Sequence, residues 1–188
     1  MTKEELKGRC AALIDENRDR IIALGEDIFA HPELGFKEER TSALVRETLD
    51  SLHIPHQDHL ALTGVKGSLK GRESGPRVMV MGELDAVICP LHPQADPNTG
   101  AAHSCGHNSQ IASMLGAAMG LAPLAAELDG DVVFAAVPAE EYVELEYRER
   151  LRQEGKIHFM GGKQEFIRQG VLDDVDMGMM IHSHAGVG

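Results

Sequence analysis

Three short apolar runs, at residues 77–82, 131–137 and 177–181, each lead directly into charged or metal-liganding side chains. Runs of this length, bounded by residues such as Gly130 and Pro138, read as buried strands. Helical periodicity separates them, and strands alternating with helices predict an α/β layered domain: a sheet of mostly parallel strands flanked by helices. In such sheets the ligand site lies beyond the carboxyl ends of the strands. Glu83 and Asp85 follow the first run, Glu140 and Glu141 the second, and His182 and His184 the third. The sequence therefore predicts that three separate strands deliver ionisable side chains to one edge of the sheet.

The helices are read from their spacing. Leu6, Cys10, Leu13, Ile14, Asn17, Ile21, Leu24 and Ile28 recur at three- and four-residue steps and predict one helix over 2–30. Thr2 is placed to cap it, with Glu5 completing a capping box. His31-Pro32 ends it, because proline disfavours helical geometry in the residue before it. A second helix is expected over 38–52, a strand over 62–69 and a loop over 85–103. A helix over 108–128 carries small residues (Ala112, Gly116, Ala117, Ala118, Gly120) suited to close packing on a sheet. The charged stretch 142–155 is helical without a clear apolar face, Gly161-Gly162 punctuates, and 163–169 forms another helix.

A net charge of −12 over 188 residues argues against nucleic acid, since phosphate binding needs a basic surface. No apolar run is read as long enough to span a bilayer, and the polar Met1-Thr2-Lys3-Glu4-Glu5 start does not resemble a signal peptide. Three widely spaced cysteines make no disulfide framework, so the expected setting is a reducing, cytoplasmic one. Ten histidines point towards metal chemistry.

Three clusters carry that chemistry. In His103-Ser104-Cys105-Gly106-His107, the glycine allows a bend that turns Cys105 and His107 towards one ion, and thiolate with imidazole is a ligand set for zinc. The pentapeptide alone is equally a buried cysteine beside two surface histidines. In Pro138-Ala139-Glu140-Glu141, one carboxylate can bind metal while the other takes a proton from water; in isolation the pair is also an ordinary acidic loop. In His182-Ser183-His184, a histidine after a strand is either a core residue or a ligand. Cysteine, histidine and glutamate together on strand ends favour a metal site.

These motifs, with His31-Pro32-Glu33-Leu34-Gly35-Phe36 and Glu83-Leu84-Asp85-Ala86, resemble the M20 family of metallopeptidases and amidohydrolases. The resemblance is closest to the branch that cleaves N-acyl and aminobenzoyl amino acids. It implies that Cys105, His107, Glu141 and His182 are metal ligands, that Glu140 is the general base, and that Asp85 sits behind the metal and orients a ligand. It further implies one or two divalent ions, zinc or manganese, and a small amide or peptide as substrate. The chain departs from many relatives at Asn108 and Gln110, where they have aspartate and a second histidine, and in the charged stretch after Glu141. It is also shorter than family members. The expectation is a partial catalytic domain over 1–188, without the inserted lid or dimerisation domain and the later metal-ligating histidine, and impaired on its own; homo-oligomers remain open. Two rivals are a non-catalytic metal- or partner-binding domain and a thiol protein acting through a low-pKa Cys105.

Overall fold

The computed structural model describes residues 1–183. The first helical segment is two helices, α1 (Lys3–Glu16) and α2 (Arg18–Ala30), rather than one. Thr2 and Glu5 form the expected capping box. Asn17 makes the break, its side-chain amide donating back to the Leu13 carbonyl at 2.8 Å, the local bonding by which asparagine competes with helix. Helix α2 ends at His31, and α3 (Glu39–Ser51) begins under a cap supplied from outside it. The Glu33 carboxylate accepts from the Arg40 and Thr41 main-chain nitrogens at 3.0 and 2.8 Å, which satisfies two otherwise orphaned helix donors.

The central sheet has the order β1 (His56–Leu60), β2 (Gly64–Leu69), β6 (Asp129–Val137), β3 (Glu73–Glu83), β7 (Met177–Met180). Strand β3 pairs in parallel with both β6 and β7, whereas β2 runs antiparallel to β6 and to β1. Four of the five strands therefore point the same way, as expected of a mostly parallel sheet. The segment 85–103, expected as loop, contains a two-stranded ribbon of β4 (Val87–Ile88) and β5 (Ala101–Ala102).

Helices cover both faces. Phe134 and Ala136 of β6 pack with Val45, Leu49, Ile111 and Leu115 on the side of α3 and α4 (His107–Leu121). Val133, Ala135 and Val137 pack with Leu151 of α5 (Leu145–Gln153) and Phe166 of α6 (Gly162–Arg168) on the other. This alternation is what a strand buried on both faces requires. The small residues of α4 admit close neighbours: a Cβ on Gly120 would stand 2.7 Å from Ile14, and one on Gly116 3.0 Å from Ile21. The run His107–Glu127, α4 continued by a 3₁₀ turn, is by length and composition apolar enough to cross a membrane, contrary to the reading above. More than half of it is buried in this fold, the environment of a core helix.

The chain passes from β3 through α4 to β6 on one side of β3, then through α5 and α6 to β7 on the other. The carboxyl end of β3 is thus where the winding reverses, the place where an open α/β sheet forms a crevice. The run 177–181 was read as a buried strand, yet Met177, Met179, Met180 and Ile181 are all exposed. Strand β7 lies at the sheet edge, and among the described residues it pairs only with β3.

Candidate metal centre

Strand β3 ends at Glu83, and the Leu84 nitrogen continues the ladder to the Val137 carbonyl at 2.9 Å, so β3 and β6 finish level with each other. Beyond Val137 the chain turns sharply at Ala139, which holds a left-handed φ of 51°. That conformation is disfavoured for an L-residue and persists only where its surroundings fix it. Here the Ala139 nitrogen donates to the buried Glu38 carboxylate at 2.8 Å, and its carbonyl accepts from Gly162 and Arg148, each at 3.3 Å. The turn carries Glu140 and Glu141 back towards β3. Opposite them, Gly106 (φ 90°) opens α4 and separates Cys105 from His107, as the sequence predicts. A Cβ there would lie 2.2 Å from the Ser183 hydroxyl.

Donor atoms of Cys105, His107 and His182 lie within 4.8 Å of one another. Cys105 Sγ is 3.4 Å from His182 Nε2, and the two imidazole rings meet edge to face at 5.6 Å. Both rings are oriented by main-chain oxygens that can only accept. His107 Nδ1 donates to the Asp85 carbonyl at 2.7 Å, and His182 Nδ1 donates to the Ser183 carbonyl at 2.7 Å. Each Nε2 is thereby turned to the site, that of His107 towards Glu83 Oε2 and that of His182 towards Cys105 Sγ, and the anchoring of Nδ1 is the arrangement that metal-ligating histidines use. His107 is fully buried and its Nε2 has no hydrogen-bond partner. The set of one thiol and two imidazoles fits a divalent metal of the zinc type.

A second donor group shares His107. Its Nε2 stands 3.1 Å from Glu83 Oε2 and 4.0 Å from Glu140 Oε2. Asp85 joins the two sides: its Oδ2 accepts from the Glu141 nitrogen at 2.9 Å, and its Oδ1 is 3.4 Å from His107 Nδ1. Lys163, from the first turn of α6, completes the group by pairing with Glu83 and lying 3.7 Å from Glu140 Oε1.

The electrostatics follow from this crowding. Burial alone would lower the His107 pKa, but the adjoining Asp85 and Glu83 override it and carry it up to about 10. Burial opposes the ionisation of Glu83, yet contact with His107 and Lys163 holds its pKa down at about 2. Burial raises the pKa of Glu140, with the Glu83 charge adding to the effect. Burial, then the Glu141 carboxylate against the thiol and the charges of Glu140 and Glu83, push Cys105 up to about 12. That is the reverse of the depressed thiol pKa on which a metal-independent thiol activity depends.

The structure thus brings Asp85, Cys105, His107, Glu140, Glu141 and His182 to one edge, while His184 lies outside the described residues. Asn108 and Gln110 turn away from any ligand role: Asn108 donates to the Gly25 carbonyl at 3.2 Å, and Gln110 accepts from the Glu83 nitrogen at 2.7 Å. Sequence reasoning gave no role to Glu83, Lys163, Glu38 or Arg148. Glu83 had a signal, its place at a strand end. Lys163 had only the preceding Gly161-Gly162.

Residues 79–185 match the model of peptidase family M20/M25/M40. The chain is 33% identical over 187 residues to an N-acyl-L-amino acid amidohydrolase of Geobacillus stearothermophilus, covering 97% of this chain and 45% of that protein. It is 39% identical over 128 residues to an N-acetylcysteine deacetylase of Bacillus subtilis, covering 65% of this chain and 33% of that protein. Among solved structures, the YXEP protein of Bacillus subtilis, described as a dinuclear metal binding peptidase, superposes with a TM-score of 0.70 at 32% identity, covering 88% of this chain and 44% of that one. The chain spans less than half the length of each of these relatives.

Proposed function

The chain belongs to the M20/M25/M40 peptidase family, and from that premise we propose that it carries the metal-binding part of an amidohydrolase acting on N-acyl amino acids or small peptides. The observation that carries this reading is the convergence of Cys105, His107 and His182, with both imidazoles tied through Nδ1 and turned by Nε2 towards the site. Glu141, whose carboxylate lies against the Cys105 thiol, is the fourth candidate ligand. A thiolate and imidazole set favours zinc over manganese.

A divalent ion held there supplies Lewis acidity towards an amide carbonyl and towards water. The rest is the work of the chain's own side chains. Glu140 is half-exposed at the mouth of the site, beside the donor group but outside the thiol and imidazole set, where burial and the Glu83 charge raise its pKa and so strengthen it as a proton acceptor. It takes the proton from the attacking water and returns it to the departing amine. Asp85 holds the Glu141 main chain and stands beside His107, so one carboxylate orients two ligands. Three free cysteines suit a reducing, cytoplasmic setting.

The test is elemental analysis of metal bound per chain in the wild type and in Cys105→Ala. A tightly held zinc ion that the variant loses supports the reading. A wild type without metal above background, indistinguishable from the variant, overturns it.

A further inference from the structure

The turn that carries Glu140 and Glu141 is gripped by its main chain. The Ala139 nitrogen donates to the Glu38 carboxylate at 2.8 Å, and the Glu141 nitrogen donates to Asp85 Oδ2 at 2.9 Å. The carbonyls of the same two residues accept from one guanidinium: Arg148 Nη1 bonds to Ala139 at 3.3 Å, and Nη2 bonds to Glu141. Nη1 also bonds to the Met160 carbonyl at 2.7 Å. Glu38, Asp85 and Arg148 are all fully buried. Three charged side chains are thus withdrawn from water and bonded to the peptide groups on either side of Glu140.

Local structure delivers the arginine. Helix α5 shows no clear apolar face in the sequence because the residues it buries are Arg148 and Leu151, one of them charged. The segment before α3 receives the guanidinium. A Cβ at Gly35 would stand 2.9 Å from the Ala139 Cα and would run into the Arg148 side chain, so the approach requires glycine. The Phe36 ring lies 5.4 Å from the guanidinium carbon. Gly35 and Phe36, which give the site no ligand, form with Glu38 a socket for the turn. Arginine suits this task because its planar fork fixes several acceptors in one geometry, as an ammonium on a flexible stem does not.

We propose that Arg148 is a positioning residue for the metal centre: by holding the main chain of Glu141 it sets where the Glu141 carboxylate meets an ion bound by Cys105, His107 and His182. The Glu141 nitrogen is fixed by Asp85 and its carbonyl by Arg148, so only the side-chain torsions remain to be ordered when the carboxylate binds. A group held in place beforehand loses less conformational entropy on binding, which strengthens the contact. The inference rests on the metal-site reading above, with Glu141 as the fourth ligand.

The test is a double-mutant cycle on zinc affinity. Zinc is titrated calorimetrically into the wild type, Arg148→Lys, Arg148→Met, Glu141→Ala, and each Arg148 variant combined with Glu141→Ala, with circular dichroism confirming that each is folded. Lysine keeps the charge with one donor centre, and it decides the result where methionine fails to fold. Loss of a group that orients a ligand typically weakens metal binding about 10–100-fold. A loss in that range is expected for Arg148→Met and a smaller one for Arg148→Lys. In the Glu141→Ala background, which keeps Cys105, His107 and His182 but leaves no carboxylate to position, each loss should shrink to about twofold or less, the margin within which independent changes add. An arginine that only stabilises the fold weakens binding equally in both backgrounds. Equal losses, or none, overturn the inference, while zinc held by the wild type keeps the metal-site reading standing. A wild type that binds no zinc overturns that reading and the inference with it.

Discussion

His107 donates its Nδ1 proton to the main-chain oxygen of Asp85 at 2.7 Å, while the Asp85 carboxylate beside it accepts from the Glu141 nitrogen at 2.9 Å. The aspartate therefore fixes one candidate ligand through its backbone and the chain of another through its side chain. Asp85→Ala keeps the carbonyl that fixes the tautomer and removes the tether on Glu141. Groups that orient ligands typically contribute about 10–100-fold to metal affinity. Zinc titration is expected to show a loss in that range for Asp85→Ala and a smaller one for Asp85→Asn, whose amide oxygen still accepts. Unchanged affinity in both would remove Asp85 from the site.

Glu38 is fully buried, accepts from Thr63 Oγ1 at 2.6 Å and from the Ala139 nitrogen at 2.8 Å, and has its pKa raised by burial and by the Asp85 charge from 4.5 to about 7. The folded chain then holds a proton that the unfolded chain has already lost between those two values. Stability is therefore expected to fall as pH rises through this window and to level off above it, by at most about 3 kcal/mol for this group. Glu38→Gln keeps the acceptor for Ala139 and donates to Thr63, so it should flatten the slope. Urea unfolding at a series of pH values checks this; an unaltered slope in the variant assigns the titration to another group.

Arg148 is 0% exposed and bonds to main-chain oxygens of Ala139, Met160 and Glu141, with the Phe36 ring 5.4 Å away. It ties the turn that carries the paired glutamates to the segment before α6. Arg148→Met preserves bulk and strands buried carbonyls, which is expected to cost about 3–5 kcal/mol in denaturant unfolding. Arg148→Lys, with one donor centre, should recover part of that. A loss under about 1 kcal/mol for methionine would show that water replaces the guanidinium.

Gly106 holds a φ of 90°, and a side chain there would meet the Ser183 hydroxyl. Gly106→Ala is expected to lower stability by about 1–2 kcal/mol through backbone strain and to weaken zinc binding by separating Cys105 from His182. Melting and zinc titration of Gly106→Ala against Gly106→Ala with Ser183→Gly separate the two effects. The second substitution relieves the clash but not the strain, so binding should recover more than stability.

Much of this arrangement is legible in the chain itself. Apolar runs that end at Gly82, Val137 and Ile181 specify strands, and the residues after them reach one sheet edge because parallel strands finish on the same side. The Thr2 and Glu5 cap, the stop at Pro32 and the bend at Gly106 follow from local chemistry within a few residues. What lay beyond the sequence depends on contacts between distant segments. Asn17 divides a helix whose periodicity runs through it. Apolarity at 177–181 cannot distinguish a central strand from an edge, so β7 reads as buried until its neighbours are known. Asp85 and Glu141 are 56 positions apart, and Lys163 and Glu83 80, so each pairing exists only once the strands are stacked in the order β6-β3-β7. The sequence determined which residues have the chemistry for a metal site, because ligand type is a property of the side chain. The tertiary structure alone decided which carboxylates face an imidazole and which face an ammonium, because that is a matter of distance in a buried, weakly screened interior.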